Sequence, residues 1–109
     1  MEKNHAIAVF ESLSSGIRLD IYRLLVRAAP DGMVAGDIGA ALELAPSNLS
    51  FHLKTLAHAG LLSVEQEGRF LRYRANLSLM NALVDYLTAE CCGGNPGQCV
   101  TACSPATKA

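Results

Sequence analysis

The chain has 109 residues, 50% hydrophobic and 17% charged, with a formal net charge of −1. That size and balance predict a single globular domain and exclude a disordered one. No global positive field marks it for nucleic acid, and no apolar run approaches the length of a bilayer crossing, so any DNA contact must come from a local basic patch.

The N-terminal stretch MEKNHAIAVFESLSSGIRLD has no basic leader region, sustained apolar core or small-residue cleavage site, which predicts a cytoplasmic protein with reduced thiols. Residues 5–13 predict a short apolar helix through His5, Ala6, Ile7, Ala8, Val9, Phe10 and Leu13. In IRLDIYRLLVRAA, the residues Ile17, Ile21, Leu24, Leu25 and Ala28 recur at helical spacing. Pro30-Asp31-Gly32 breaks that helix. Met33 to Leu42 then predicts another, with Val34, Ile38, Ala41 and Leu42 on one face.

After the break Glu43-Leu44-Ala45-Pro46, the run SNLSFHLKTLAHAG predicts a helix with Pro46 at its first position. Leu49, Leu53 and Leu56 are its buried side, and Gly60 stops it. Its other positions include Ser47, Asn48, Ser50, His52 and Lys54, which are polar and able to hydrogen-bond. The period then changes to two. Leu62, Val64 and Gln66 alternate with Ser63, Glu65 and Glu67. Beyond the Glu67-Gly68 turn, Leu71, Tyr73 and Ala75 oppose Arg72 and Arg74, predicting a hairpin with one packed and one solvated face. Asn76 is placed to cap a final helix containing Leu79, Leu83, Tyr86 and Leu87.

Two helices joined by a tight turn and followed by a hairpin describe a winged helix-turn-helix, mainly α with a β-hairpin wing. Short polar side chains on its second helix reach base edges, and cations on its wing meet phosphates. Ser47, Asn48, Ser50 and His52 suit the first task; Lys54, Arg69, Arg72 and Arg74 suit the second. His5 and His58 suit surface or packing roles.

The run SFHLKTLAHAGLLSVEQEGRFLRYR resembles the signature of the ArsR/SmtB family of winged-helix repressors. That family carries a Ser-x-His-Leu-x-x-Leu run, an Ala-Gly-Leu corner and a Glu-Gly-Arg wing tip ending in Tyr-Arg. LSSGIRLDIYRLL is similar to the family's first core helix, with Gly16 where proline is usual. The resemblance implies a homodimer built through its first and last helices, bound to an imperfect palindrome of double-stranded DNA at its own promoter and released by an effector. It implies no enzyme, no organic cofactor and no membrane partner. The first and last helices carry apolar residues on more than one side, which agrees with faces that another chain covers.

All four cysteines lie in CCGGNPGQCVTAC: Cys91, Cys92, Cys99 and Cys103. The family's cysteine site at the start of the helix-turn-helix is absent, because MVAGDIGAAL contains no cysteine. Its zinc site on the last helix is absent too, because LSLMNALVDYLTAE contains no histidine. A further subset of the family resembles this chain in carrying a Cys-Cys pair after the last helix and a third cysteine beyond it, and those members respond to arsenite or antimonite. The resemblance points to Cys91, Cys92 and Cys99, with Cys103 as a substitute. Trivalent arsenic is a soft centre that favours three thiolates, and soft ions prefer sulfur to imidazole or carboxylate. Gly93, Gly94 and the Pro96-Gly97 turn allow the chain to return Cys99 toward the pair. Zinc, cadmium or lead on the thiolates, or a thiol-redox sensor, are the alternatives. The expected organisation is a DNA-binding and dimerisation domain over 1–90 and an effector-binding tail over 91–109.

Overall fold

The computed structural model describes residues 1–90. Five helices and three strands follow in the order α1 (Lys3–Leu13), α2 (Gly16–Arg27), β1 (Met33–Val34), α3 (Ala35–Leu42), α4 (Pro46–His58), β2 (Leu62–Glu67), β3 (Phe70–Ala75) and α5 (Leu77–Thr88). The expected winged helix-turn-helix architecture is present.

Local chemistry sets the boundaries. Ser15 caps α2, its side chain accepting from the Arg18 amide, and Asn76 caps α5 by accepting from the Leu79 amide. Pro46 occupies the first turn of α4, where a missing N–H is harmless. Gly60 follows the end of α4 at φ 89°, a conformation glycine adopts without penalty.

The core is a seam between helices. Val9 of α1, Ile21 and Leu25 of α2, Ile38 of α3, Leu53 and Leu56 of α4, and Leu61 are fully buried. Burying such a side chain contributes about 1.5–3 kcal/mol. The α4 leucines together thus rival the net stability of a small domain, about 5–15 kcal/mol. Their burial fixes which side of α4 is left outside.

One expected element differs. Met33 and Val34 form a short strand rather than the start of a helix, pairing antiparallel with β3 as Met33↔Tyr73 and Val34↔Arg72. Val34 has extended dihedrals and stands as the N-cap residue of α3. On α3 only Ile38 is buried; Leu42 is half-buried and Ala41 is exposed. The sheet order is β1-β3-β2, and β2 and β3 pair from Leu62↔Ala75 to Glu67↔Phe70. Only the base of the hairpin is packed, through Leu62 and Tyr73. Val64 and Leu71 share Tyr73's face and remain exposed, so the packed face expected from alternation ends where the hairpin outruns the core.

Gly32, at φ 72°, immediately precedes β1 and lies against β3. A Cβ there would collide with the Tyr73 carbonyl oxygen and lie 2.6 Å from Arg74 Cγ. Gly32→Ala is expected to lower stability by about 2 kcal/mol, combining left-handed strain with overpacking. Urea denaturation followed by circular dichroism measures the loss.

Candidate nucleic-acid interface

The α3–α4 turn that presents α4 is tight. Glu43 ends α3 in the left-handed region at φ 55°, ψ 50°, a conformation costing a non-glycine residue about 1 kcal/mol. The Leu44 amide donates to the Gly39 carbonyl at 3.0 Å. A Cβ on Gly39 would lie 3.3 Å from both the Leu44 oxygen and Leu49 Cδ2. Glycine at this position therefore lets α3 approach the turn and α4 closely.

With Leu49, Leu53 and Leu56 inward, α4 exposes Ser47, Asn48, Ser50, Phe51 and Lys54. Four of the five residues expected on this face are there. The fifth, His52, is half-buried against α2: Arg18 Nη1 donates to His52 Nδ1 at 3.1 Å. Guanidinium is only a donor, so Nδ1 accepts and Nε2 is the ring's remaining donor. Arg18 is itself held by its Nε donating to the Ser12 carbonyl at 2.7 Å. His52 thus orients α4 on α2 in addition to lying near its outer face.

The wing cations divide into two kinds. Arg72 Nε donates to both Glu67 carboxylate oxygens at 3.0 and 2.9 Å, and Arg74 Nη1 pairs with Glu65 Oε1 at 2.6 Å. These pairs run diagonally, because the residue directly across from Arg72 is Glu65. Both arginines also donate to the loop before β1, Arg72 to the Asp31 and Gly32 carbonyls and Arg74 to the Pro30 carbonyl. They brace the wing's base and arrive partly neutralised. Lys54 and Arg69 are exposed and form no ion pair among the described residues.

A second surface is apolar. Ile7 and Phe10 on α1, and Val84, Tyr86 and Leu87 on α5, are exposed although each helix buries its other side through Ala6 and Val9 or Leu83. Burial pushes the Tyr22 and Tyr73 phenols above their ordinary values. The Tyr22 hydroxyl has no hydrogen-bond partner among the described residues. Among these residues no three His, Cys, Asp or Glu side chains gather as a metal site, and no helix is long and apolar enough to cross a membrane. Cys91, Cys92, Cys99 and Cys103 lie outside the described residues.

Residues 13–65 match the family described as a helix-turn-helix domain. An ArsR-like transcriptional regulator from Rhodococcus sp. RHA1 superposes with a TM-score of 0.69 at 26% identity, over 78% of this chain and 77% of that one. HlyU from Vibrio cholerae N16961 does so at 0.66 and 28% identity, over 84% and 99%. This chain carries a winged helix-turn-helix fold. In sequence this winged-helix chain is 28% identical to the transcriptional repressor SdpR of Bacillus subtilis (strain 168) over 79 residues, 72% of this chain and 84% of that protein. The homodimeric winged helix-turn-helix domain Mb0332 from Mycobacterium bovis shares the fold, with a TM-score of 0.63 at 24% identity, over 84% and 85%.

Arg18 and Phe51 are not among the site residues expected from sequence. A signal for Phe51 exists: it is an aromatic two positions beyond Leu49, on the polar side of α4's helical period. No local signal links Arg18 to His52, thirty-four residues away. The pair is expected to show a coupling of about 1 kcal/mol in a double-mutant cycle of Arg18→Met and His52→Phe, read by urea denaturation. Zero coupling returns His52 to the outer face alone.

Proposed function

We propose that the protein is a homodimeric transcriptional repressor, released from operator DNA when As(III) or Sb(III) binds thiolates of Cys91, Cys92 and Cys99, with Cys103 as the alternative third. Each α4 enters a major groove with Ser47, Asn48 and Ser50 toward base edges. His52 adds its remaining donor. Lys54 and Arg69 meet phosphates directly, and Arg72 and Arg74 do so by exchanging a carboxylate for a phosphate. The paired chains cover the apolar faces of α1 and α5.

The observation that carries the DNA reading is a polar helix face held rigid by three buried leucines, beside Lys54 on α4 and Arg69 at the wing tip, cations without an ion pair among the described residues. The name of SdpR, a transcriptional repressor, and the ArsR-like neighbour agree with it. The effector reading rests on composition: every cysteine of the chain follows α5, a helix of the proposed dimer surface. Ligation there alters the end of that helix, and so the separation of the two α4 helices. The coupling is reciprocal, so DNA-bound protein takes up arsenite less tightly than free protein. Thiolate binding also releases protons, since a free thiol has a pKa of about 8.5.

A mobility shift on the DNA upstream of the protein's gene tests the reading. Arsenite under reducing conditions is expected to release the wild type, and Cys92→Ser is expected to bind equally well but stay bound. Release by zinc, or by peroxide without reductant, with no response to arsenite assigns the thiols to the alternatives instead. Lys54→Ala is expected to weaken binding to all sequences and to lower the log–log salt slope by about one for each phosphate no longer neutralised.

A further inference from the structure

We infer that Phe51 is a sequence-reading residue that recognises the 5-methyl group of thymine. The inference rests on the DNA-binding reading of α4 and deepens it. Phe51 is 63% exposed, although it sits mid-helix in an element that buries Leu49, Leu53 and Leu56. At 3.6 residues per turn it lies nearly opposite Leu49 and one turn beyond Ser47. Lys54 follows three positions later on the same outer side, and Ser50 is adjacent. An aromatic ring surrounded by hydroxyls and an ammonium is unsuited to a protein core, but it matches the one apolar feature of the major groove, the thymine methyl.

The ring is also oriented without being buried. Its centroid lies 5.4 Å from that of His52 at an interplanar angle of 64°, an edge-on contact. His52 is fixed in turn by Arg18, which Ser12 holds. The chain Ser12–Arg18–His52–Phe51 therefore sets the position of the aromatic from inside the fold, so little side-chain freedom is lost when it meets a base. The serines and Asn48 on the same face supply hydrogen bonds that many base edges accept. A methyl-seeking ring adds discrimination those groups lack, favouring T·A over C·G at one position of each half-site.

Wild-type full-length protein is used to enrich binding sites from a random-sequence DNA duplex library, and the selected site is resynthesised with deoxyuridine replacing thymine. Loss of the methyl is expected to weaken wild-type binding about fourfold per half-site, the worth of one buried methyl-sized group. Phe51→Ala is expected to bind the thymine and deoxyuridine duplexes equally, and Phe51→Leu to retain part of the preference. Both variants are expected to melt like the wild type, since the ring is exposed. A wild type indifferent to the methyl, or a Phe51→Ala protein that keeps the full preference, overturns the assignment while leaving DNA binding intact. A wild type that enriches no sequence overturns the DNA-binding reading itself, and this assignment with it.

Discussion

The corner at Ala59–Leu61 holds the molecule together. A helix end leaves carbonyls without partners, and a buried one must satisfy them from elsewhere. Here His5 Nε2 of α1 donates to the Ala59 carbonyl at 3.1 Å, and the Asn76 side-chain amide donates to the Gly60 carbonyl at 2.9 Å. The Asn76 backbone amide takes the Leu61 carbonyl at 2.8 Å, while the Leu61 amide closes on Leu56. One short stretch of backbone is gripped by the first helix and by the cap of the last. The end of α4 therefore has nowhere to move unless α1 or α5 moves as well.

That arrangement gives the proposed regulation a physical route. Asn76 is at once the cap of α5 and the clamp on the exit of α4. A displacement of α5 that preserves its cap drags the Gly60 corner, and the reading helix is rigid beyond it because Leu56, Leu53 and Leu49 are buried in sequence along one side. Arg18 and His52 secure α4 on its other flank. The exposed face is carried as a unit, without freedom to adjust residue by residue.

Much of the fold is legible in the sequence because local chemistry agrees with the global answer. The leucine period of α4, Pro46 at its start, Gly60 at its end, the Asn76 cap and the hairpin alternation each point to the element that forms. Met33-Val34 misleads because its apolar residues fit a helical face as well as a strand, and only pairing with residues forty positions later decides between them. The exposure of Val64 and Leu71 is equally invisible, since alternation reports a face but not how far the core extends beneath it. For the interface, the exposed polar positions of α4 are readable from the period. The carboxylates on Arg72 and Arg74 are less so, because direct cross-strand register pairs Arg72 with Glu65, whereas the side chains choose the diagonal partners.

The two-residue strand β1 has an effect out of proportion to its length. It pairs with β3 across the whole helix-turn-helix, so α3 and α4 lie inside the chain segment that this pairing closes. Closing so long a loop is entropically unfavourable until the enclosed helices have packed and brought its ends together. The three-stranded sheet is thus a late, non-local product of folding, completed only around an assembled reading helix. The packing that holds the reading helix in place therefore also lowers the cost of completing the base of the wing.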